Sequence, residues 1–194
     1  YLPAFKSLVQ EGDVTQVMCG YQRIDSQPCC AQTRYLQQIL RGEWGFKGIV
    51  VSDCGAVRDF HMKGRHEYTK TPEESVGKAV LAGTDADCGS VYKSIPAALK
   101  AGEVSESDID TSLKRLLIGR FRLGEMDPDS LVPWMQIPEE RLCSKAHSDL
   151  AYKMAQESMV LLQNRNGMLP LPKDGVKIAV IGPNATDSVM QWGN

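Results

Sequence analysis

Three short apolar or β-branched runs begin at Val14, Ile49 and Thr84, so each starts 35 residues after the one before it. They read Val14-Thr15-Gln16-Val17-Met18-Cys19, Gly48-Ile49-Val50-Val51-Ser52-Asp53 and Thr84-Asp85-Ala86-Asp87-Cys88. Runs of this length fit strands better than helices. An equal step with room for a helix between runs implies a repeated βα unit. Strands joined by such crossovers must be parallel.

The segments between the runs carry helical signals. Leu36, Ile39 and Leu40 stand at i, i+3 and i+4, with Gly42 expected as the C′ residue. In the next unit the Thr71 hydroxyl can cap, Pro72 suits the first helical position and Glu74 can complete a capping box. Val76, Ala79 and Val80 give that helix a narrow apolar face, and Gly83 ends it. The fold class is therefore α/β. Three units cannot close an eight-stranded barrel of about 250 residues, and an open doubly wound sheet has the same periodicity. In both, ligands gather at the C-terminal ends of parallel strands. Asp53 stands at such an end, before the Cys54-Gly55-Ala56 turn.

A net charge of −2 gives no electrostatic case for a nucleic-acid partner or an anionic membrane. No apolar run approaches the roughly 20 residues that span a bilayer, and no signal peptide is recognisable. The chain opens Tyr-Leu-Pro and stops soon after an expected strand, which suggests a piece of a longer protein. Six cysteines stand at 19, 29, 30, 54, 88 and 143, without a CxxC pair. Cys19, Cys54 and Cys88 fall at expected strand ends, where they could meet as a disulfide or as a metal site with His61 or His66. Small buried thiols beside a cleft are the expectation, because free cysteine is so often buried.

Ser105 is expected to cap a further helix, with Asp108 at the capping-box position. Ile109, Leu113, Leu116, Leu117 and Phe121 form its apolar face, while Lys114, Arg115, Arg120 and Arg122 read as its solvated side and end. Residues 124–144 carry Asp127-Pro128, Val132-Pro133 and Ile137-Pro138 with little periodicity, as an ordered interdomain linker would, with Trp134 pinning it to a domain surface. A helix bearing Ala146, Leu150 and Met154 follows, then a turn at Asn164–Gly167 and an expected buried strand at Lys177–Ile181. The expected domains are 1–123, a linker at 124–144, and the start of a second α/β domain at 145–194. Gly182 after the last run invites a dinucleotide reading, but GxGxxG is lacking and Pro183 stands where the glycine-rich turn would continue.

Several segments together resemble family 3 glycoside hydrolases in family order: Val17-Met18-Cys19-Gly20-Tyr21, Gly45-Phe46-Lys47-Gly48-Ile49-Val50-Val51-Ser52-Asp53, Ala82-Gly83-Thr84-Asp85, Glu157–Asn164, Leu169-Pro170-Leu171 and Ile178–Asn184. The resemblance implies the end of a (β/α)8-type barrel, a linker, and the opening of an α/β sandwich. It also implies a retaining exo-acting β-glycosidase without cofactor or metal, acting on an oligosaccharide or aryl glycoside. Asp53 matches the family's catalytic nucleophile, Tyr21 the tyrosine beside it, and Met18 a strand end near the sugar subsite. Tyr21 is the candidate hydroxyl donor to Asp53. Cys54 stands where many glucosidase-like members carry tryptophan, and the Cys-Gly-Ala version looks like the β-xylosidase-like branch. The expected rank is β-xylosidase, then β-glucosidase, then α-L-arabinofuranosidase.

Asp85 and Asp87 match no acid/base motif and read as turn and capping residues. The acid/base residue is expected beyond Asn194, so the remainder of the full-length protein is needed and this chain alone is expected to be inactive. A periplasmic or secreted location is expected if the full-length protein carries a signal peptide. The reading from another class is a non-catalytic carbohydrate-binding remnant.

Overall fold

The computed structural model describes residues 1–192, as two units, Tyr1–Ile137 and a second that begins at Pro138. The first unit begins with α1 (Leu2–Gln10) and β1 (Gln16–Cys19), then a small antiparallel ribbon of β2 (Arg23–Ile24) and β3 (Gln27–Pro28). A π-helix (Arg34–Glu43) leads to β4 (Ile49–Ser52), and α2 (Pro72–Ala82), α3 (Ile95–Ala101) and α4 (Glu106–Arg122) follow.

β1 and β4 are parallel, and Ala86 pairs in parallel with Val51 on the other side of β4. The three runs therefore lie side by side and parallel, as the βα repeat implies, with β4 in the middle. Their true register steps differ slightly. Gln16 faces Ile49, a step of 33, because Val14 precedes the strand and its N–H donates to Leu8 C=O. Val51 faces Ala86, a step of 35.

The third run is a single bridge and not the expected strand. Asp85 explains this locally: its Oδ2 accepts the Val50 N–H at 2.9 Å, so a side chain takes a donor that a strand carbonyl would otherwise receive. Asp85 is also the centre of an ion-pair network. Its fully buried carboxylate accepts from Arg41 at 2.6 Å and from Arg115 at 3.0 Å. Neither the expected turn role for Asp85 nor the solvated role for Arg115 survives. Arg41 also donates to the carbonyls of Gly48 and Gly83, joining the π-helix to the residues just before β4 and just after α2. Burial lowers the Arg41 pKa and the Asp85 charge opposes that.

Cys19 and Val50 point into a core built with Leu36 and Leu40 from the π-helix and with Val76, Ala79 and Val80 from α2. The π-helix does not stop at Gly42. It runs to Glu43, the Trp44 N–H donates to Ile39 C=O, and Gly45, at φ 74°, makes the turn. In α2 the Thr71 hydroxyl caps the Glu74 N–H, but Glu74 reaches one residue further back, to the Lys70 N–H, so the box is displaced. α4 has the full reciprocal box between Ser105 and Asp108. The 124–137 segment is a series of short 3-10 turns, and the Trp134 indole donates to Leu123 C=O at 2.9 Å, as a pinning residue should.

In the second unit, α5 (Lys145–Ser158) is capped by Ser144. The run at Lys177–Ile181 forms no strand, and Ile178, Val180 and Ile181 are exposed. A strand needs a neighbour for its N–H and C=O groups, and none among the described residues supplies one.

Candidate active site

β4 delivers Asp53 to the rim of the sheet. Its backbone is held on both sides: the Asp53 N–H donates to Cys19 C=O at 2.8 Å, and Asp53 C=O accepts from the Ala56 N–H at 3.0 Å. The turn between requires a left-handed residue, and Gly55 supplies it at φ 86°, where a β-carbon would be strained. The half-buried carboxylate accepts from the Cys54 N–H at 2.7 Å. No other hydrogen bond reaches it from the described residues, so the carboxylate is positioned and still available to a ligand.

Tyr21 comes from the loop after β1. Its hydroxyl donates to the Cys54 carbonyl and not to Asp53. The tyrosine thus fixes the peptide next to the candidate nucleophile. Met18 lies on β1 beside Cys19, 57% exposed, and lines an apolar groove of about 610 Å³ with Tyr35, Leu36 and Trp44.

The loop after Asp53 closes a second, polar cleft of about 520 Å³, lined by Tyr21, Arg58, Asp59, Gly64, Arg65 and His66. His66 stacks on Phe60 with ring centroids 6.3 Å apart, and the Arg23 guanidinium donates to its carbonyl. Burial, with the Arg23 charge second, lowers the His66 pKa. Nothing in the residue pattern beyond proximity to Asp53 marked this cleft.

The cysteines depart from the expectation of free thiols. Cys19 is bonded to Cys30 and Cys54 to Cys88, leaving Cys29 and Cys143 free. Cys54 and Cys88 do meet at strand ends, but Cys19 turns away to Cys30, the second residue after the β2–β3 ribbon. The two histidines take no part: His61 pairs with Ser75 at 2.9 Å, and among the described residues no group of three or more His, Cys, Asp or Glu is arranged to hold a metal ion.

Sequence reasoning missed Ser52 and the reach of Asp87. The Asp87 carboxylate receives the N–H groups of Val91 (2.9 Å) and Tyr92 (3.3 Å), a capping role as expected, and also the Ser52 hydroxyl at 3.2 Å. Ser52 stands 35 residues before Asp87, the same step as Val51 to Ala86. The repeat contained the signal for this pairing.

Residues 1–118 match the Glycosyl hydrolase family 3 N terminal domain. A Xylan 1,4-beta-xylosidase of Xylanibacter ruminicola is 53% identical over the whole of this chain, which covers 22% of that protein. Beta-xylosidase/alpha-L-arabinofuranosidase 2 of Medicago sativa subsp. varia is 40% identical over the whole chain, which covers 25% of it. Among solved structures, a GH3 exo-beta-xylosidase (XlnD) bound to a xylobiose aziridine activity based probe superposes with a TM-score of 0.76 at 34% identity, over 90% of this chain and 22% of that one. A beta-glucosidase from Listeria innocua in complex with glucose gives 0.72 at 27% identity, over 88% and 23%. The chain thus spans about a quarter or less of the length of these relatives.

Proposed function

Because the chain belongs to glycosyl hydrolase family 3, we propose that it forms the nucleophile-bearing part of a retaining exo-β-glycosidase that releases terminal β-linked sugars, with xylosides preferred. The observation that carries this reading is the placement of Asp53: a carboxylate at the C-terminal end of a central parallel strand, its backbone clamped and its side chain open to ligand.

The chemistry follows from two carboxyl groups about 5 to 5.5 Å apart. Asp53 attacks the anomeric carbon as the bond to the leaving oxygen breaks, and a carboxylic acid from outside this chain gives that oxygen its proton. A water, deprotonated by the same outside group, then attacks the anomeric carbon and releases Asp53 as a carboxylate. Tyr21 serves this by holding the carbonyl of Cys54, the residue whose own N–H bonds to the Asp53 carboxylate. Met18 and Cys54 contribute to the sugar pocket, Met18 from the β1 rim and Cys54 from the turn itself. The chain does not turn over glycosides by itself, since the proton donor lies elsewhere.

The xyloside preference is supported by the names of the relatives from Xylanibacter ruminicola and Medicago sativa. The Medicago name also supports keeping α-L-arabinofuranosidase, the third in rank, as a weaker side activity. The two disulfides fit maturation in an oxidising compartment, hence a periplasmic or secreted protein. Two experiments on the full-length protein test the reading. A 2-fluoro xyloside should label Asp53, and label on another residue or none would sink it. Initial rates on aryl xyloside, glucoside and arabinofuranoside should rank in the order xyloside, glucoside, arabinofuranoside.

A further inference from the structure

The turn that presents Asp53 is stitched to residues 86–88 at four points besides its contact with Cys19. The Ser52 N–H donates to Ala86 C=O at 2.9 Å, and the Gly55 N–H donates to Cys88 C=O at 2.6 Å. Cys54 is bonded to Cys88. The Ser52 side chain supplies the fourth tie. Its hydroxyl donates to Asp87 Oδ1 at 3.2 Å while its oxygen accepts the Cys88 N–H at 3.0 Å. Ser52 is buried at 1% exposure, so its hydroxyl depends on these partners.

The direction of each bond is determined. An ionised Asp87 only accepts, so the Ser52 proton must point to it, and the serine lone pair is then aimed at Cys88 N–H. The other carboxylate oxygen is anchored by Val91 and Tyr92 N–H groups, which fixes Asp87 against the following 3-10 turn. The chain of contacts runs from that turn through Asp87 and Ser52 to the backbone of the adjacent Asp53.

We infer that Asp87 is a positioning residue for the reaction, setting the orientation of Asp53 through the Ser52 hydroxyl. The inference rests on the reading of Asp53 as nucleophile. A retaining nucleophile must meet the anomeric carbon in line, and a displacement of about 1 Å can lower the rate by roughly a hundredfold. The disulfide alone does not prevent such a shift, because it restrains Cys54 through rotatable side-chain bonds while Ser52 is tied to the backbone-anchored Asp87.

The test uses Ser52→Ala, Asp87→Asn and the double variant in the full-length protein. Asp87→Asn keeps an oxygen for Val91 and Tyr92 but cannot accept from Ser52 with its nitrogen. Each single variant should lower kcat by about ten- to a hundredfold with KM within about twofold. The double variant should be no worse than the poorer single one, since both cut one path. Labelling with a 2-fluoro xyloside counts competent sites, so kcat is read per labelled site and folding losses drop out. Wild-type kcat per site, or fully additive losses, overturns the inference while leaving Asp53 as nucleophile. Label found on a residue other than Asp53 overturns the nucleophile reading and this inference together.

Discussion

Cys54 and Cys88 are joined by a disulfide that ties the residue after Asp53 to the end of the third run, 34 positions further along the chain. The bond spans the middle and third members of the three-run sheet at the rim where a ligand would enter. Covalent closure here acts beside the Ser52 and Gly55 hydrogen bonds to the same segment.

Loss of this bond should lower stability. Closing a 34-residue loop restrains the unfolded chain by about 3 to 4 kcal/mol in the loop-entropy treatment. The double variant Cys54→Ser/Cys88→Ser is expected to melt several degrees lower than the parent. Non-reducing peptide mapping should recover the two cysteines in one cross-linked species. Separate alkylation of both thiols would contradict the pairing.

Asp85 should be far less tolerant of change than its position on a loop suggests. Removing the carboxylate with Asp85→Ala leaves Arg41 and Arg115 facing each other and the Val50 N–H without its acceptor. Breaking a buried ion pair in this way costs about 3–5 kcal/mol. Hydrogen exchange at Val50 should quicken in the variant as the melting point falls. A surface-like loss of a few tenths of a kcal/mol would show that the network contributes little.

His66 should make stability depend on pH. Burial first, and the Arg23 charge second, lower its pKa below the ordinary 6.5. The unfolded chain therefore takes up the proton before the folded one does as pH falls. Stability is complete above pH 6.5 and declines below it, toward the lower folded value. Melting curves between neutral and mildly acidic pH should slope less for His66→Gln than for the parent. Equal slopes would remove His66 from the account.

The N-terminus of α4 offers a local test. Ser105→Ala removes the acceptor for the Asp108 N–H and the hydroxyl that helps hold the Asp108 carboxyl below its ordinary pKa. A loss of about 0.5–2 kcal/mol is expected, and Ser105→Gly should lose only a few tenths. Denaturant midpoints of the two variants compare them directly. Indistinguishable midpoints would mean that the cap is replaced by solvent.

Much of the site was legible because its elements repeat. Asp53 at a strand end, the glycine turn after it, and the capped α2 and α4 helices each follow from local chemistry. Tyr21 was expected beside Asp53 from the family resemblance alone, and its bond was not legible, since the Cys54 carbonyl and the Asp53 carboxylate are equally plausible acceptors until the loop is folded. Arg115 was misread because a charged residue on a helix looks solvated until a buried Asp85 from another element arrives beside it.

The Lys177–Ile181 run shows the opposite error. Its apolar content favours a strand, yet a strand exists only as one side of a pair. Hydrophobic pattern is a property of one segment, whereas pairing is a property of two.

By itself the sequence determined the alternation of apolar runs and helices, the parallel direction of the runs, and the strand end on which Asp53 stands. These depend on side-chain periodicity, caps and turns, which act over a few residues. Only the tertiary structure decided which cysteines bond, that Asp85 is a buried counter-ion, and that Asp87 reaches Ser52. Those choices depend on which groups become neighbours after burial removes water as an alternative partner.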